Sequence, residues 1–225
     1  MAARFPRPPS APRTNFSTGI GSLDQLIGSG LPKSAITELI TPEMSAGSAS
    51  LIHLLVQAAQ HDRFFVALID GCDSFDPESL DNECLRHLLW IRCRNSFEAI
   101  KAADLLLRDG NFPLIMVDLV LNRPEELRKI PQTHWYRLQR LVEITSSACL
   151  ILTRQSVIGS AQLKIVLENV WTLRALDDET AMAQLRFRIQ RSHCYSETGG
   201  RRAASAGASR PGIILGDESA SPSNY

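Results

Sequence analysis

The sequence predicts an α/β fold: a mainly parallel sheet with helices on both faces and an antiparallel edge at its C-terminal end. Three observations carry this expectation. Short apolar runs alternate with segments whose apolar residues recur at helical spacing. Two of the runs, FFVALID (64–70) and PLIMVDL (113–119), are apolar almost throughout and reach an acid at their ends, as strands buried on both faces do. A β–α–β–α order covers every apolar face when the strands lie parallel between two helical layers.

In chain order, AITELI (35–40) reads as a strand. SASLIHLLVQAAQHD (48–62) follows as a helix, with Leu51, Leu54, Leu55 and Ala58 on one side. FFVALID is the next strand and LLWIRC (88–93) another. SFEAIKAADLLLRDG (96–110) is a helix closed by Gly110 as C-cap. PLIMVDL is followed by helical sequence from PEELRK (124–129) through LQRLVEITSS (138–147), and ACLILTRQ (148–155) is a strand. SVIGSAQLKIVLENVW (156–171) reads as a short turn and a helix. NVWTLRAL (169–176) and AQLRFRIQR (183–191), joined by DDET, read as a closing pair of strands. Trp90 and Trp171 are expected in the core, and the His134–Trp135 pair is expected to serve packing.

Around this core, residues 1–14 are rich in Pro and Arg and read as a flexible leader. Residues 196–225 are dominated by Gly, Ser and Ala, too polar to offset their ordering entropy, and read as a disordered tail. GIILG (212–216) within that tail is either a chance apolar run or a docking peptide. The domain is therefore expected over 15–195. With 24 basic and 24 acidic side chains the net charge is zero, so contact with nucleic acid or membrane would have to be local. Cys72, Cys84, Cys93, Cys149 and Cys194 form no C-x-x-C pair, which argues for free thiols and against a metal site or disulfide framework. The basic N-terminus has no apolar run after it, and no stretch is long enough to span a bilayer, so a cytoplasmic protein without membrane contact is expected. No Ser/His/Asp or Cys/His arrangement can be argued from spacing.

FSTGIGSLDQLIGSGLPKSAITELITPE (16–43) resembles the opening of the RecA core: Ser-Thr-Gly, Leu-Asp, a Gly-rich turn with Gly-Leu-Pro, and a strand ending in Pro-Glu. FVALIDGCDSFDPESL (65–80) is similar to the family's second strand and its Asp-Pro turn. LIMVDL corresponds to the Walker B strand with Asp118, LILTRQ to the strand ending in Gln155, and RFRIQRSH (186–193) to a basic strand at the subunit interface. The resemblance covers roughly residues 14–195 and implies a RecA-like fold with a degenerate P-loop and a vestigial nucleotide site at Thr41, Ala46, Gly47, Ser48, Asp73, Asp118 and Gln155.

Departures from the family pattern then shape the functional expectation. A P-loop of form GxxxxGK[ST] wraps phosphates with glycines and meets their oxygens with a lysine. Here Thr41 stands for the first glycine, Ala46 for the second, Gly47 for the lysine and Ser48 for the hydroxyl; sliding by one makes Gly47 the second glycine but leaves Ser48 at the lysine. Either way the cation is missing, and with it a charge-assisted bond of about 1.5–3 kcal/mol and stabilisation of the transferred phosphoryl group. Helix dipole alone leaves some anion affinity. Where the family places its water-activating glutamate, this chain has Cys72, flanked by Asp70 and Asp73. Asp118 either holds Mg²⁺ through water or bonds loop amides. The two DNA loops are cut down, the leader replaces the oligomerisation helix, and no C-terminal domain follows, so filament formation is not expected.

Arg174, Arg186, Arg188, Arg191 and His193 cluster late, with Arg186 and Arg188 on one face of a strand. They read as a phosphate-binding strip, a solvated face, or a remnant interface. A small, lysine-less RecA core resembles the ImuA group, which implies a non-enzymatic scaffold of SOS-induced translesion mutagenesis. Its partners would be DNA polymerase-type translesion proteins, with RecA and single-stranded DNA also compatible. No cofactor is expected, though ATP with Mg²⁺ is the one the fold would accept. More distant readings are a SulA-like inhibitor of the tubulin-like division protein and a nucleotide-binding regulator of a recombinase.

Overall fold

The computed structural model describes residues 15–43, 47–170 and 185–192. The expected leader and tail, Ala46, Trp171, Arg174, His193 and Cys194 lie outside them.

Nine strands and six α-helices run β1 (Asn15–Phe16), α1 (Gly21–Ile27), β2 (Leu31–Pro32), β3 (Ala35–Ile40), α2 (Ser48–His61), β4 (Val66–Asp70), α3 (Asn82–Leu85), β5 (Leu88–Arg92), α4 (Ser96–Asp109), β6 (Leu114–Asp118), α5 (Pro124–Arg128), α6 (Gln132–Glu143), β7 (Ala148–Thr153), β8 (Leu163–Leu167) and β9 (Phe187–Ser192) among the described residues. Seven of the strands form one sheet in the order β5-β4-β6-β7-β3-β8-β9. Every pairing in it is parallel except β8 with β9. The predicted mainly parallel sheet with an antiparallel C-terminal edge is thus the observed one.

Alternation along the strands sorts the core into two layers. On one face Leu39, Leu68, Met116, Leu150 and Ile165 meet Leu51, Ile52, Leu55 and Val56 of α2. On the other, Ile36, Ile69, Val117 and Ile151 meet Ala99, Ile100 and Ala103 of α4 and Trp135, Leu138 and Val142 of α6. Trp135 is fully buried, so its expected packing role holds. Gly110 caps α4 in the left-handed conformation, as expected. Pro131, which has no N–H to continue a helix, separates α5 from α6.

Two expectations, for LKIVL and for Trp90, are corrected. LKIVL, expected as helix, is strand β8, buried between β3 and β9. Its leucines and valine at helical spacing imitated amphipathicity, but Leu163, Ile165 and Leu167 instead share one sheet face. β9 pairs antiparallel with β8, and the NVWTLRAL segment expected beside it lies outside the described residues after Val170. Trp90 is only half-buried because β5 is an edge strand; Phe75 meets its ring edge-on and Arg92 lies over it.

Ahead of the sheet, β1 and β2 pair with each other and bracket α1, which the sequence reading did not resolve. A Cβ at Gly30, whose φ is +118°, would stand 2.2 Å from the Phe16 carbonyl oxygen. That contact is why the Gly-rich turn precedes the central strand.

Candidate functional site

Parallel strands leave their C-terminal ends along one rim, and the residues singled out from sequence gather there. Thr41, just past β3, is buried; its N–H donates to the Thr153 carbonyl at 2.8 Å and its hydroxyl to the same oxygen at 3.3 Å. Thr41 therefore extends the sheet ladder. Gly47 is the N-cap of α2, with φ 92° and ψ 19°, and its carbonyl receives the Leu51 N–H at 2.9 Å. A side chain there would be strained, so the glycine is needed for the turn. Ser48 is the first helical residue. Gly47, having no side chain, makes no side-chain capping bond. Just past β7, Arg154 extends Nη2 to 3.5 Å from the Pro42 carbonyl, a cation beside the loop that no sequence pattern signalled.

Asp70 and Asp118 are register partners at the ends of β4 and β6. Asp70 is buried and accepts bonds from Cys72 N, Ser74 N, Ser74 Oγ and Phe75 N at 2.8–3.3 Å, so it folds the loop that follows it. Asp118 accepts one backbone bond, from Val120 N at 3.0 Å. Burial, together with the Asp70 charge, pushes its carboxyl up to about 6. Asn122 donates to the Gly71 carbonyl, and a Cβ on Gly71 would lie 2.4 Å from Asn122 Oδ1.

Cys72, which follows β4, is exposed, yet its thiol is pushed up by partial burial and by Glu126, Asp70 and Asp118. Alkylation at neutral pH, followed at Cys72 by peptide mapping, is therefore expected to run slower than for free cysteine, because only the thiolate reacts. A rate faster than the free amino acid would contradict this electrostatic setting.

Asp73 adopts a left-handed backbone with φ 54° and takes a bidentate bond from Arg92, at 2.5 Å from Nε and 2.6 Å from Nη2. That guanidinium holds its carboxyl below the usual carboxylate range. Gln155 accepts a bond from Arg128 Nη2 at 3.1 Å. Asp73, Asp118 and Gln155 thus bond to separate partners, and among the described residues none bonds to another of the three.

A buried ion pair, unforeseen from sequence, sits beneath the loop. Glu38 on β3 and Lys164 on β8 approach to 2.7 Å, with side chains 0% and 8% exposed. Glu38 also accepts the Val157 and Ile158 amides at 2.7 and 3.1 Å and the Ser156 hydroxyl at 3.3 Å, while Lys164 donates to Ser156 Oγ at 2.6 Å. The segment between β7 and β8 is consequently clamped to the central strand. A lone Glu inside AITELI and a lone Lys inside LKIVL were the available signals.

On β9 the register slips between Lys164 and Ile165, so that Arg191 stands opposite Lys164 while Ile189 stands opposite Ile165. That bulge returns Arg191 to the face of Arg188, while Phe187 and Ile189 pack against the core. Arg186 is exposed, Arg188 pairs with Glu168 at 2.5 Å, and Arg191 donates to the Gly159 carbonyl at 3.3 Å. Among the described residues no group of His, Cys, Asp and Glu could hold a metal ion, and no helix is long and apolar enough to cross a membrane.

No protein-family model matches the chain. It is similar to the chloroplastic DNA repair protein recA homolog 1 of Arabidopsis thaliana, 32% identical over 108 residues, 47% of this chain and 24% of that protein. It is also similar to Protein RecA of Cutibacterium acnes, 34% identical over 109 residues, 46% of this chain and 30% of that one. Protein RecA of Streptomyces avermitilis is 30% identical over 120 residues, 50% of this chain and 30% of that protein. The matched part spans under a third of each relative's length. Sheet order and these similarities together give the chain a RecA-like core.

Proposed function

We propose that this chain is an accessory protein of DNA repair, of the translesion-mutagenesis type resembling the ImuA group, which holds partner proteins on a RecA-like core without turning over ATP. The observation that carries the reading is the start of α2. Gly47 keeps the backbone turn wanted before a phosphate-binding helix, and the next residue is Ser48 rather than a lysine. Donors at a helix N-terminus attract an anion, but without an ammonium group the developing phosphoryl charge lacks its main stabiliser. Three further features support it. Cys72 offers a protonated thiol where a base is required, Asp73 is held by Arg92, and Gln155 is held by Arg128 beside a crossover clamped to Glu38. The name of the Arabidopsis relative, a DNA repair protein, supports a reading within DNA repair.

Titrating the purified chain with labelled ATP and with single-stranded DNA tests this directly. Expected are no phosphate release, no change of melting temperature with Mg-ATP, and retention of a polymerase-like partner in pull-down. Phosphate release that follows the folded protein through purification and disappears in Asp118→Ala would overturn the reading in favour of a nucleotide-dependent regulator.

A further inference from the structure

We propose that the outer groove between α4 and α6 is a docking site for an acidic amphipathic helix of a partner protein. Large exposed apolar side chains collect on this face: Phe97 and Leu105 from α4, 43% and 67% exposed, Tyr136 from α6, 55% exposed, and Ile144 just past the end of α6, 81% exposed. Two concavities adjoin at Arg137, the first between α4 and α6 and the second on the α6 side of the groove. One, of about 410 Å³, is floored by Ile100 and Leu138; the other, of about 490 Å³, runs along α6 past Leu141. Each has room for one or two large apolar side chains. Apolar residues gathered on one face mark an interaction surface, whereas scattered ones need no explanation.

Charge selects the occupant. Arg137 forms the wall common to both concavities and is fixed there by Asp104, which accepts its Nε at 2.6 Å and also pairs with Arg108. That carboxylate is shared between two guanidinium groups. Lys101 stands over the Phe97 ring at 4.8 Å, and Arg140 lines the second concavity; among the described residues neither has a carboxylate partner. The rim is therefore cationic and calls for Asp or Glu on the incoming segment.

The groove walls select its conformation. Both are α-helices, whose backbone groups are already bonded within each helix, so no open strand edge is offered for an extended peptide to join. An occupant that satisfies its own backbone while laying an apolar stripe between two helices is itself a helix. The inference does not depend on whether the chain turns over ATP, and its failure would leave the nucleotide result standing.

The test uses the full chain and two fluorescent synthetic helices of about five turns, one leucine–glutamate and the other leucine–lysine. The acidic helix is expected to bind with a Kd in the micromolar range, and the basic one at least about tenfold more weakly. Leu105→Glu, and separately Lys101→Glu with Arg140→Glu, are each expected to weaken acidic-helix binding about tenfold or more while leaving the melting temperature and circular dichroism unchanged, since all three side chains lie on the surface. Equal binding of both peptides, or acidic-helix binding indifferent to these substitutions, would overturn the proposal. So would self-association of the chain that Leu105→Glu abolishes in the absence of peptide binding, because the occupant would then be a second copy.

Discussion

Replacing Lys164 by methionine is expected to destabilise the chain by about 3–5 kcal/mol, the usual cost of removing one partner from a buried ion pair. The Glu38 carboxylate would remain fully buried in the central strand, facing two amides and the Thr153 and Ser156 hydroxyls but no cation. In a domain of this size each kcal/mol moves the melting temperature by about 2–4 °C, so a loss of roughly 10 °C should be seen by calorimetry. Glu38→Gln alone should cost less, since an amide can still accept from Val157 and Ile158. The double variant Glu38→Gln with Lys164→Met should recover part of the loss, because it leaves no buried charge. Hydrogen exchange at Val157 and Ile158 should accelerate in the single lysine variant, since the clamp on the crossover loosens. A Lys164→Met penalty below about 1 kcal/mol would mean that the amides alone satisfy Glu38.

What could be read from sequence divides along physical lines. Strands β3, β4, β6 and β7 were recognisable because burial on both faces forces continuous apolar runs, and their starts and ends fall within two residues of the expected ones. Helix α4 was legible through its stripe and the Gly110 cap. β8 was not, because Leu163, Val166, Leu167 and Val170 satisfy a helical stripe as well as a strand. Only pairing to β3 decides between the two, and pairing is a long-range fact. Along the rim, the positions of Thr41, Gly47, Ser48 and Asp118 were legible because each sits at a strand or helix end with a fixed spacing. Sequence could not supply the partners: Arg92 for Asp73, Arg128 for Gln155 and Lys164 for Glu38 come from elements 10 or more residues away, and in the last case more than a hundred. The electrostatics of a site are set by such contacts, which local patterns do not encode.

Asp118→Asn should stabilise the chain near pH 8 and have little effect near pH 4. Burial and the facing Asp70 raise the Asp118 carboxyl from an ordinary 3.8 to about 6 in the folded state. The folded protein therefore holds this proton more tightly than the unfolded chain does, and stability contributed by the protonated form is lost as pH rises through about 6. Above that point the ionised group is a net cost. At about 1.36 kcal/mol per pKa unit the cost is at most about 3 kcal/mol, and partial solvent contact at the rim lowers it further. Asparagine removes the charge and keeps an oxygen for the Val120 N–H, so thermal melts of both proteins from pH 4 to pH 8 should diverge progressively, with the variant higher at the alkaline end. The same pair distinguishes a structural acid from a working one. If Asp118 were committed to a Mg²⁺–nucleotide complex, adding Mg-ATP at pH 8 would stabilise the wild-type chain and not the variant, because a bound cation relieves the Asp70–Asp118 repulsion that asparagine relieves without it. Without a lysine to hold the triphosphate beside Ser48, the gap between the two melting curves should be indifferent to Mg-ATP; a gap that closes or reverses on its addition would show that the rim still grips a nucleotide.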